Sequence, residues 1–332
     1  MSQCSRSVGK NAPIRLNDAA TGAILAVKQP FSKGSADMYD MSRCELCPRR
    51  CGADRQADKR GACGVGQSVL VARAAPHYWE EPCISGKNGS GTVFFAGCSL
   101  GCVFCQNRRI SRSAVGAEQT VGELANTFLR LQDSGVHNIN LVTPTHYVPQ
   151  IAAALDIAKL HIPVVYNSGG YDLPETLDML DGKVRVFLPD FKYMDSALAA
   201  RFSHAADYPD AAKAAVAKMF ELAGRPRFDT DGMMKSGVIV RHLVLPGHAD
   251  DSINVIDYLH RTYGDSIYIS IMNQYTPPDG VSFDEPLNEL NRAVTDAEYA
   301  RVVDYAESIG VCNAFIQEGG TVSESFIPPF DV

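Results

Sequence analysis

Residues 92–105 read Thr92-Val-Phe-Phe-Ala-Gly-Cys98-Ser-Leu-Gly-Cys102-Val-Phe-Cys105. The apolar run before Cys98 predicts a buried strand, and the cysteines that follow predict a loop directly after that strand. Three thiolates spaced C-x3-C-x2-C can bind three corners of one [4Fe–4S] cluster and leave the fourth iron without a protein ligand. The alternatives are a zinc site that borrows a fourth ligand, or three unrelated core cysteines. The position of the loop directly after a strand favours the cluster.

Beyond this stretch, short apolar strand patterns alternate with amphipathic helical patterns. Strands are predicted at residues 92–97, 138–142, 164–167, 184–188, 238–245, 268–272 and 314–317. Helices are predicted at residues 121–133, 149–160, 207–222, 252–263 and 296–308. Alternation of this kind implies right-handed βαβ crossovers and a parallel sheet, so we expect an α/β fold with a partial (β/α)6-type barrel. In such a barrel the reactive groups lie at the carboxyl ends of the strands.

Composition and charge restrict the class of protein. The chain has 332 residues, 45% hydrophobic and 21% charged, which is ordinary for a folded globular protein. A formal net charge of −7 argues against bulk nucleic-acid binding. No apolar run approaches the roughly 20 residues of a membrane span, and the polar first residues lack a secretory signal. We therefore expect a cytoplasmic protein without a membrane partner, in which grouped cysteines hold metal more often than they form disulfides.

A second group of cysteines precedes the barrel pattern, in a segment that has neither a helical nor a strand period. Its spacing is C-x2-C-x3-C-x11-C, formed by Cys44, Cys47, Cys51 and Cys63. Four thiolates can close a tetrahedral zinc site or a fully ligated second iron–sulfur cluster. The anionic charge of either would be partly offset by Arg49, Arg50, Arg55 and Arg60. The spacing does not decide which metal is bound. It also leaves open whether the metal relays electrons, binds a substrate or only holds the segment against the barrel.

Together these patterns divide the chain into three parts. Residues 1–40 are predicted to be a partly disordered leader, and residues 41–90 a cysteine-rich, metal-binding extension. Residues 91–332 carry the alternating pattern and are predicted to form the barrel.

The chain resembles the radical S-adenosylmethionine (SAM) superfamily, whose signature is the same cysteine spacing with an aromatic residue, here Phe104, before the last cysteine. It also resembles the PflX-like group, which is similar to pyruvate formate-lyase activating enzymes. The stretches that carry this second resemblance are residues 44–51, 80–86, 89–95, 141–149 and 188–192. The superfamily resemblance implies that SAM chelates the open iron. It further implies that one electron cleaves SAM, and that the resulting 5′-deoxyadenosyl radical abstracts a substrate hydrogen.

The same resemblance implies a set of SAM-contacting residues. They are Phe104, Thr143, Asn167, Asp190, Lys192 and His242. Asp190 and Lys192 lie two apart on one strand and should face the same side, whereas the neighbours Arg241 and His242 should face opposite sides. We expect His242 to face the barrel interior. Many superfamily members have Gly-Gly-Glu where this chain has Thr143-Pro-Thr-His146, which leaves the contacts of SAM's amino group to threonine hydroxyls or backbone carbonyls.

Three functions are consistent with these residues. The first is activation of a glycyl-radical enzyme by abstraction of a backbone hydrogen, as the resemblance to activating enzymes implies. The second is lyase chemistry on a small molecule, for instance a modified nucleoside in queuine salvage. The third is a non-catalytic two-cluster iron–sulfur or electron-transfer protein. Either enzyme would need an electron donor such as flavodoxin or ferredoxin.

Overall fold

A sheet of ten strands organises residues 39–317, which are the residues described by the computed structural model. Seven strands follow one another in parallel pairs: β2 (Ser90–Phe95), β4 (Ile139–Val142), β5 (Val164–Ser168), β6 (Val186–Pro189), β8 (Met234–Leu243), β9 (Tyr268–Met272) and β10 (Ala314–Ile316). Three more are antiparallel: β1 (Val69–His77), β3 (Ala117–Gln119) and β7 (Arg227–Phe228). The order β10-β9-β8-β6-β5-β4-β2-β1-β3 has two ends, so the sheet is open and mostly parallel. This confirms the α/β class and fits a partial barrel.

Nine α-helices accompany the strands within residues 39–317. They are α1 (Pro82–Ser85), α2 (Arg108–Ser111), α3 (Val121–Asp133), α4 (Val148–Ala158), α5 (Pro174–Leu177), α6 (Ser196–Ser203), α7 (Tyr208–Ala223), α8 (Ala249–Tyr263) and α9 (Asp296–Ser308). Helices α3 and α9 have the predicted bounds because each begins at a capping box, formed by Thr120 with Glu123 and by Thr295 with Glu298. None of the described helices is long and apolar enough to cross a membrane.

Strand β1 is the main element that the sequence patterns did not predict. It lies in the segment assigned to the cysteine-rich extension, yet it pairs antiparallel with β2 along most of its length. Its apolar residues are interrupted by Arg73, so no clean alternation marks it. The extension therefore contributes a strand to the same sheet. The predicted boundaries at residues 40 and 90 stay predictions, and residues 1–38 and 318–332 lie outside the described part.

The two faces of the sheet have different partners. Residues such as Val93, Tyr166 and Val240 belong to the large core shared with the helices. On the other, inner face a small core forms where Val165, Val186, Leu188 and Ile239 meet Cys83 and Ile84 of helix α1. Helix α1 thus fills the inner face near the amino ends of the strands. Towards the carboxyl ends, where a barrel places its site, this face carries polar and charged residues such as Asn167, Asp190 and Arg241.

The capping box of α9 gives a test of how this helix is held. Thr295 Oγ1 accepts a hydrogen bond from the backbone N–H of Glu298 at 3.2 Å, and Glu298 in turn accepts one from the N–H of Gly247 at 2.7 Å. We expect Thr295→Ala to lower the free energy of unfolding by about 1 kcal/mol, measured by urea denaturation. The exposed turn residue Thr230 is the matched control, and Thr230→Ala should change it by less than about 0.5 kcal/mol. Equal losses in the two variants would contradict the capping role.

Candidate functional site

The cysteine loop leaves the carboxyl end of β2 and closes on helix α2. Gly97 donates its N–H to the carbonyl of Ile110 at 2.9 Å, and Cys98 donates its N–H to the carbonyl of Cys63 at 3.1 Å. Gly97 has φ +84°, and a β-carbon there would lie 2.7 Å from the carbonyl oxygen of Cys63. Only glycine allows this approach. The loop therefore starts in direct contact with the amino-terminal cysteine segment.

Of the three cysteines of the loop, Cys102 is buried and Cys98 and Cys105 are half-buried, and two of the sulfurs accept hydrogen bonds from serine hydroxyls. Cys102 Sγ accepts a hydrogen bond from Ser203 Oγ at 3.0 Å, and Cys105 Sγ accepts one from Ser111 Oγ at 3.5 Å. Burial raises the pKa of all three thiols, Cys98 included, so each is protonated at neutral pH unless a metal replaces its proton. Hydrogen bonds donated by hydroxyl groups to the sulfurs would stabilise thiolates that are bound to a metal.

No three His, Cys, Asp or Glu side chains within residues 39–317 are arranged around one point so as to hold a single metal ion. Ligands of one cubane bind different irons and need not converge on a point. The donor set of Cys98, Cys102 and Cys105, with its two hydroxyl hydrogen bonds, fits a [4Fe–4S] cluster with an open corner.

Asp190 and Lys192 lie beside this loop and face the same side, as expected. Lys192 Nζ is 2.6 Å from Asp190 Oδ2, and Arg241 Nε is 3.0 Å from Asp190 Oδ1. Although burial alone would raise it, the two cations hold the pKa of Asp190 below its usual value. Burial would also lower the pKa of Lys192, but Asp190 and the nearby thiols raise it. Both groups are therefore charged at neutral pH.

The turn after β5 brings these residues close to the loop. Gly170 has φ +74°, and a β-carbon on it would lie 2.0 Å from the carbonyl oxygen of Asp190. A β-carbon on Gly169 would lie 2.9 Å from Leu100 of the cysteine loop and 3.8 Å from Cε of Lys192. The two glycines thus let the β5 turn pass between the cysteine loop and the end of β6.

Arg241 joins the remaining polar groups of the inner face. Its Nη2 donates to Asn167 Oδ1 at 2.6 Å, and its Nη1 lies 3.3 Å from Glu80 Oε2. Glu80 also accepts a hydrogen bond from Asn140 Nδ2 at 2.9 Å. Burial raises the pKa of Glu80 and of the adjacent Glu81, and Glu81 Oε2 has no hydrogen-bond partner. Glu80 and Glu81 were missed because their segment was assigned to the extension. The feature of the sequence that could have identified them is the pair of adjacent acidic residues.

The expectation that His242 rather than Arg241 faces the interior is wrong. His242 shares the face of Val240 and forms a 2.7 Å hydrogen bond through Nδ1 with the carbonyl of Phe191. It is 1% exposed, and burial lowers its pKa to about 4. Because neighbours on a strand face opposite sides, only one of Arg241 and His242 can face inward. The carboxylates of Asp190 and Glu80 on the inner face pair with the guanidinium, so Arg241 is the one that does.

Two further candidates lie near the loop without polar contacts that assign them a role. Phe104 is buried and packs edge-to-face against Phe202 and Tyr275, at centroid distances of 6.2 and 6.1 Å. Thr143 adopts φ +59°, which is unusual for a threonine, and its N–H donates to the carbonyl of Asn167 at 2.9 Å. Their contacts with SAM stay predictions.

The amino-terminal cysteines pack against the same end of the sheet. Cys44, Cys47 and Cys63 are buried, and Cys51 is exposed. Arg49 of this segment donates to the carbonyls of Ser99 and Leu100 in the cysteine loop, at 2.9 and 3.2 Å, and to that of Ser203 at 2.9 Å. The segment is therefore fixed to the loop.

Comparison with known proteins gives one family. The sequence profile of the Radical SAM superfamily matches residues 92–259. A curated relative from Methanocaldococcus jannaschii, "Uncharacterized protein MJ0674", is 29% identical over 276 residues, covering 80% of this chain and 74% of the relative.

Among solved structures, Streptococcus suis SuiB has a TM-score of 0.47 at 16% identity, covering 70% of this chain and 49% of SuiB. Methylornithine synthase (PylB) has a TM-score of 0.44 at 17% identity, covering 68% of this chain and 63% of that one. The chain thus spans about half the length of SuiB. Likenesses this distant assign no function.

The buried imidazole of His242 predicts a pH dependence of stability. Its folded pKa of about 4 lies below the value of about 6.5 in an unfolded chain. The unfolded state therefore binds a proton first, and stability falls as the pH drops from 6.5 towards 4. We expect His242→Asn, which keeps an N–H donor but does not titrate, to remove about 2 kcal/mol of the loss between pH 7 and pH 5.

The exposed His161 is the matched control for this measurement, and His161→Asn should lose stability as the wild-type protein does. Denaturant unfolding at several pH values measures the effect. Parallel losses in the wild-type protein and in His242→Asn would show that His242 is not held neutral in the folded state.

Proposed function

The chain belongs to the radical SAM superfamily, and we propose that Cys98, Cys102 and Cys105 hold its [4Fe–4S] cluster. The family makes the chain a radical SAM enzyme with that cluster and SAM as cofactors, and this sets aside the non-catalytic alternative. When bound, these cofactors supply a 5′-deoxyadenosyl radical that removes a hydrogen atom from the substrate. The observation that carries the residue assignment is the presence of three cysteines on one loop at the carboxyl end of β2, two of them hydrogen-bonded to serine hydroxyls.

We place SAM next to this loop, on the polar inner face of the sheet. Lys192 suits the methionyl carboxylate, and Asp190 suits the ribose hydroxyls or the ammonium group. Asn167 supplies an amide to the same surface. On β8 we propose Arg241 rather than His242 as the contact, because only Arg241 lies on the inner face. Phe104 and Thr143 complete the proposed set.

The charges of this surface support a cationic ligand. Asp190 pairs with both Lys192 and Arg241, Glu80 pairs with Arg241, and the carboxyl group of Glu81 lies close to Arg241. SAM carries two positive groups, a sulfonium and an ammonium, and one negative carboxylate. It therefore brings a net positive charge to a surface on which carboxyl groups outnumber cations. The unpartnered oxygen of Glu81 is one acceptor that such a ligand could satisfy.

For the substrate, the leading proposal is a glycyl-radical enzyme. It rests on the resemblance of the cysteine loop, its lead-in and the later strand ends to pyruvate formate-lyase activating enzymes. The reaction would remove one hydrogen atom from a backbone glycine of the partner. Such a partner needs room for an extended peptide above Cys98–Cys105.

A specific observation favours a second candidate, a small-molecule substrate such as a modified nucleoside. Arg49 ties the amino-terminal segment to the cysteine loop and to the end of helix α6. The hydroxyl of Thr176 donates to the carbonyl of Leu46 at 3.0 Å. The segment therefore covers one side of the site and leaves less width for a peptide. Both candidates need a one-electron donor, which we propose to be a flavodoxin or ferredoxin.

The enzyme assignment is tested by the formation of 5′-deoxyadenosine. We expect the anaerobically reconstituted protein to produce it from SAM and dithionite. Cys102→Ala should abolish this product, because one corner of the cluster then lacks its thiolate. Product formation at the wild-type rate in Cys102→Ala would contradict the assignment of the cluster ligands. Adding either a glycyl-radical enzyme or a modified nucleoside, and asking which accelerates the reaction, separates the two substrate candidates.

The placement of SAM predicts unequal effects of the neighbours on β8. Arg241→Met should weaken SAM binding to the reconstituted protein by about 10- to 100-fold, because it removes the guanidinium that holds the proposed SAM contacts Asp190 and Asn167 in place. His242→Asn is the matched control and should leave the dissociation constant within about twofold of the wild-type value. Isothermal titration with SAM measures both, with cluster absorbance as the check on folding. The reverse order of effects would restore His242 as the contact.

A further inference from the structure

Arg55 is a fully buried cation in the amino-terminal cysteine segment. It is 0% exposed, and its Nε and Nη2 donate to the carbonyl of Gly66 at 2.9 and 2.6 Å. Its Nη1 donates to the carbonyl of His146 at 2.7 Å. The ion pairs formed within residues 39–317 do not include Arg55, so no described carboxylate balances it. A guanidinium taken out of water needs a counter-charge as well as hydrogen bonds.

The anionic candidates beside Arg55 are cysteine sulfurs. Cys44 Sγ lies 3.8 Å from its Nη1. Cys51 and Cys63 meet around Gly61, where a β-carbon would lie 3.3 Å from Cys51 Sγ and 3.4 Å from Cys63 Sγ. Glycine at this position therefore keeps open the space beside the two sulfurs.

The backbone of this segment is folded around the cysteines. Cys44 donates its N–H to the carbonyl of Ala53 at 3.0 Å and accepts one from Gly52 at 3.0 Å. The N–H of Arg50 donates to the carbonyl of Cys47 at 2.9 Å. The apolar core here is small, with Met41, Cys44 and Leu46 as its buried members. A segment with so little core needs another source of stability, which a metal bound by thiolates supplies.

We propose that Cys44, Cys47, Cys51 and Cys63 bind one metal centre as thiolates, and that Arg55 is its buried counter-charge. Four thiolates leave a net negative charge on a [4Fe–4S] cluster, whose ligands bind different irons and need not converge on one point, so one adjacent guanidinium lowers the cost of burying it. We further propose that this centre holds the loop of Cys98 in place.

Two contacts connect the proposed centre to that loop. The carbonyl of Cys63 accepts the N–H of Cys98 at 3.1 Å, so a ligand of one site is bonded to a ligand of the other. The second contact runs through His146, whose backbone carbonyl accepts a hydrogen bond from Arg55. The imidazole Nε2 of His146 forms a 2.8 Å hydrogen bond with the carbonyl of Ala96, two residues before Cys98. Loss of the centre would release both contacts at the start of the cysteine loop.

The test isolates this centre by using Cys102→Ala protein, in which the SAM cluster lacks a ligand. We expect the purified protein to retain about four irons per chain with matching acid-labile sulfide, measured by metal and sulfide analysis. Adding Cys47→Ala should remove that metal, whereas the control Cys83→Ala, a buried cysteine of helix α1, should not. Metal content unchanged by Cys47→Ala would overturn the site. Because the 5′-deoxyadenosine assay is separate, failure of the proposed enzyme activity would leave this result readable.

The role of Arg55 is tested by the rate at which a chelator removes the metal. Arg55→Gln, which removes the charge, should speed this loss by about tenfold or more, and Arg55→Lys, which keeps it, should stay closer to the wild-type rate. Equal rates in Arg55→Gln and the wild-type protein would overturn the counter-charge.

The link to the loop is tested by hydrogen exchange at the N–H of Cys98. Removing the metal from Cys102→Ala protein should increase that exchange by about tenfold or more, while the amides of helix α9 keep their protection. This measurement does not depend on whether Cys47→Ala folds. Unchanged exchange at Cys98 would overturn the proposed coupling.

Discussion

The guanidinium of Arg241 is the contact on which the polar face of the sheet depends. It reaches Asp190 after β6, Asn167 on β5 and Glu80 from the segment before helix α1. Parallel strands bring their carboxyl ends to one edge, and a buried cation there can be kept only if carboxylates surround it. The same ion pairs orient Asp190 beside Lys192, so the proposed SAM surface and the stability of the barrel interior rest on one set of charges.

A second constraint joins the two groups of cysteines. The carbonyl of Cys63 and the N–H of Cys98 form a direct hydrogen bond, and Gly97 is required for their approach. Arg49 adds side-chain donors to the carbonyls of the same loop. The amino-terminal segment and the loop therefore form one structural unit, although the 34 residues between Cys63 and Cys98, including the whole of strand β1, separate them in the chain.

Local patterns were sufficient for much of the fold. Helices α3 and α9 have their predicted bounds because capping boxes mark their starts, and the parallel strands follow runs of apolar residues. Strand β8 begins at Met234, four residues before the predicted start, because its first part pairs with the short strand β7. Strand β1 was not predicted because Arg73 interrupts its apolar residues, so no clean alternation marks it.

The sequence by itself determined the chemistry of the loop, because the spacing of Cys98, Cys102 and Cys105 restricts which metal centres three thiolates can share. It also predicted, from the period of two of a strand, that Asp190 and Lys192 face one side, and they do so although β6 ends at Pro189. Only the tertiary structure decided that Arg241 and not His242 faces inward. Alternation separates two neighbours but does not say which is inside, and the answer depends on carboxylates from distant segments.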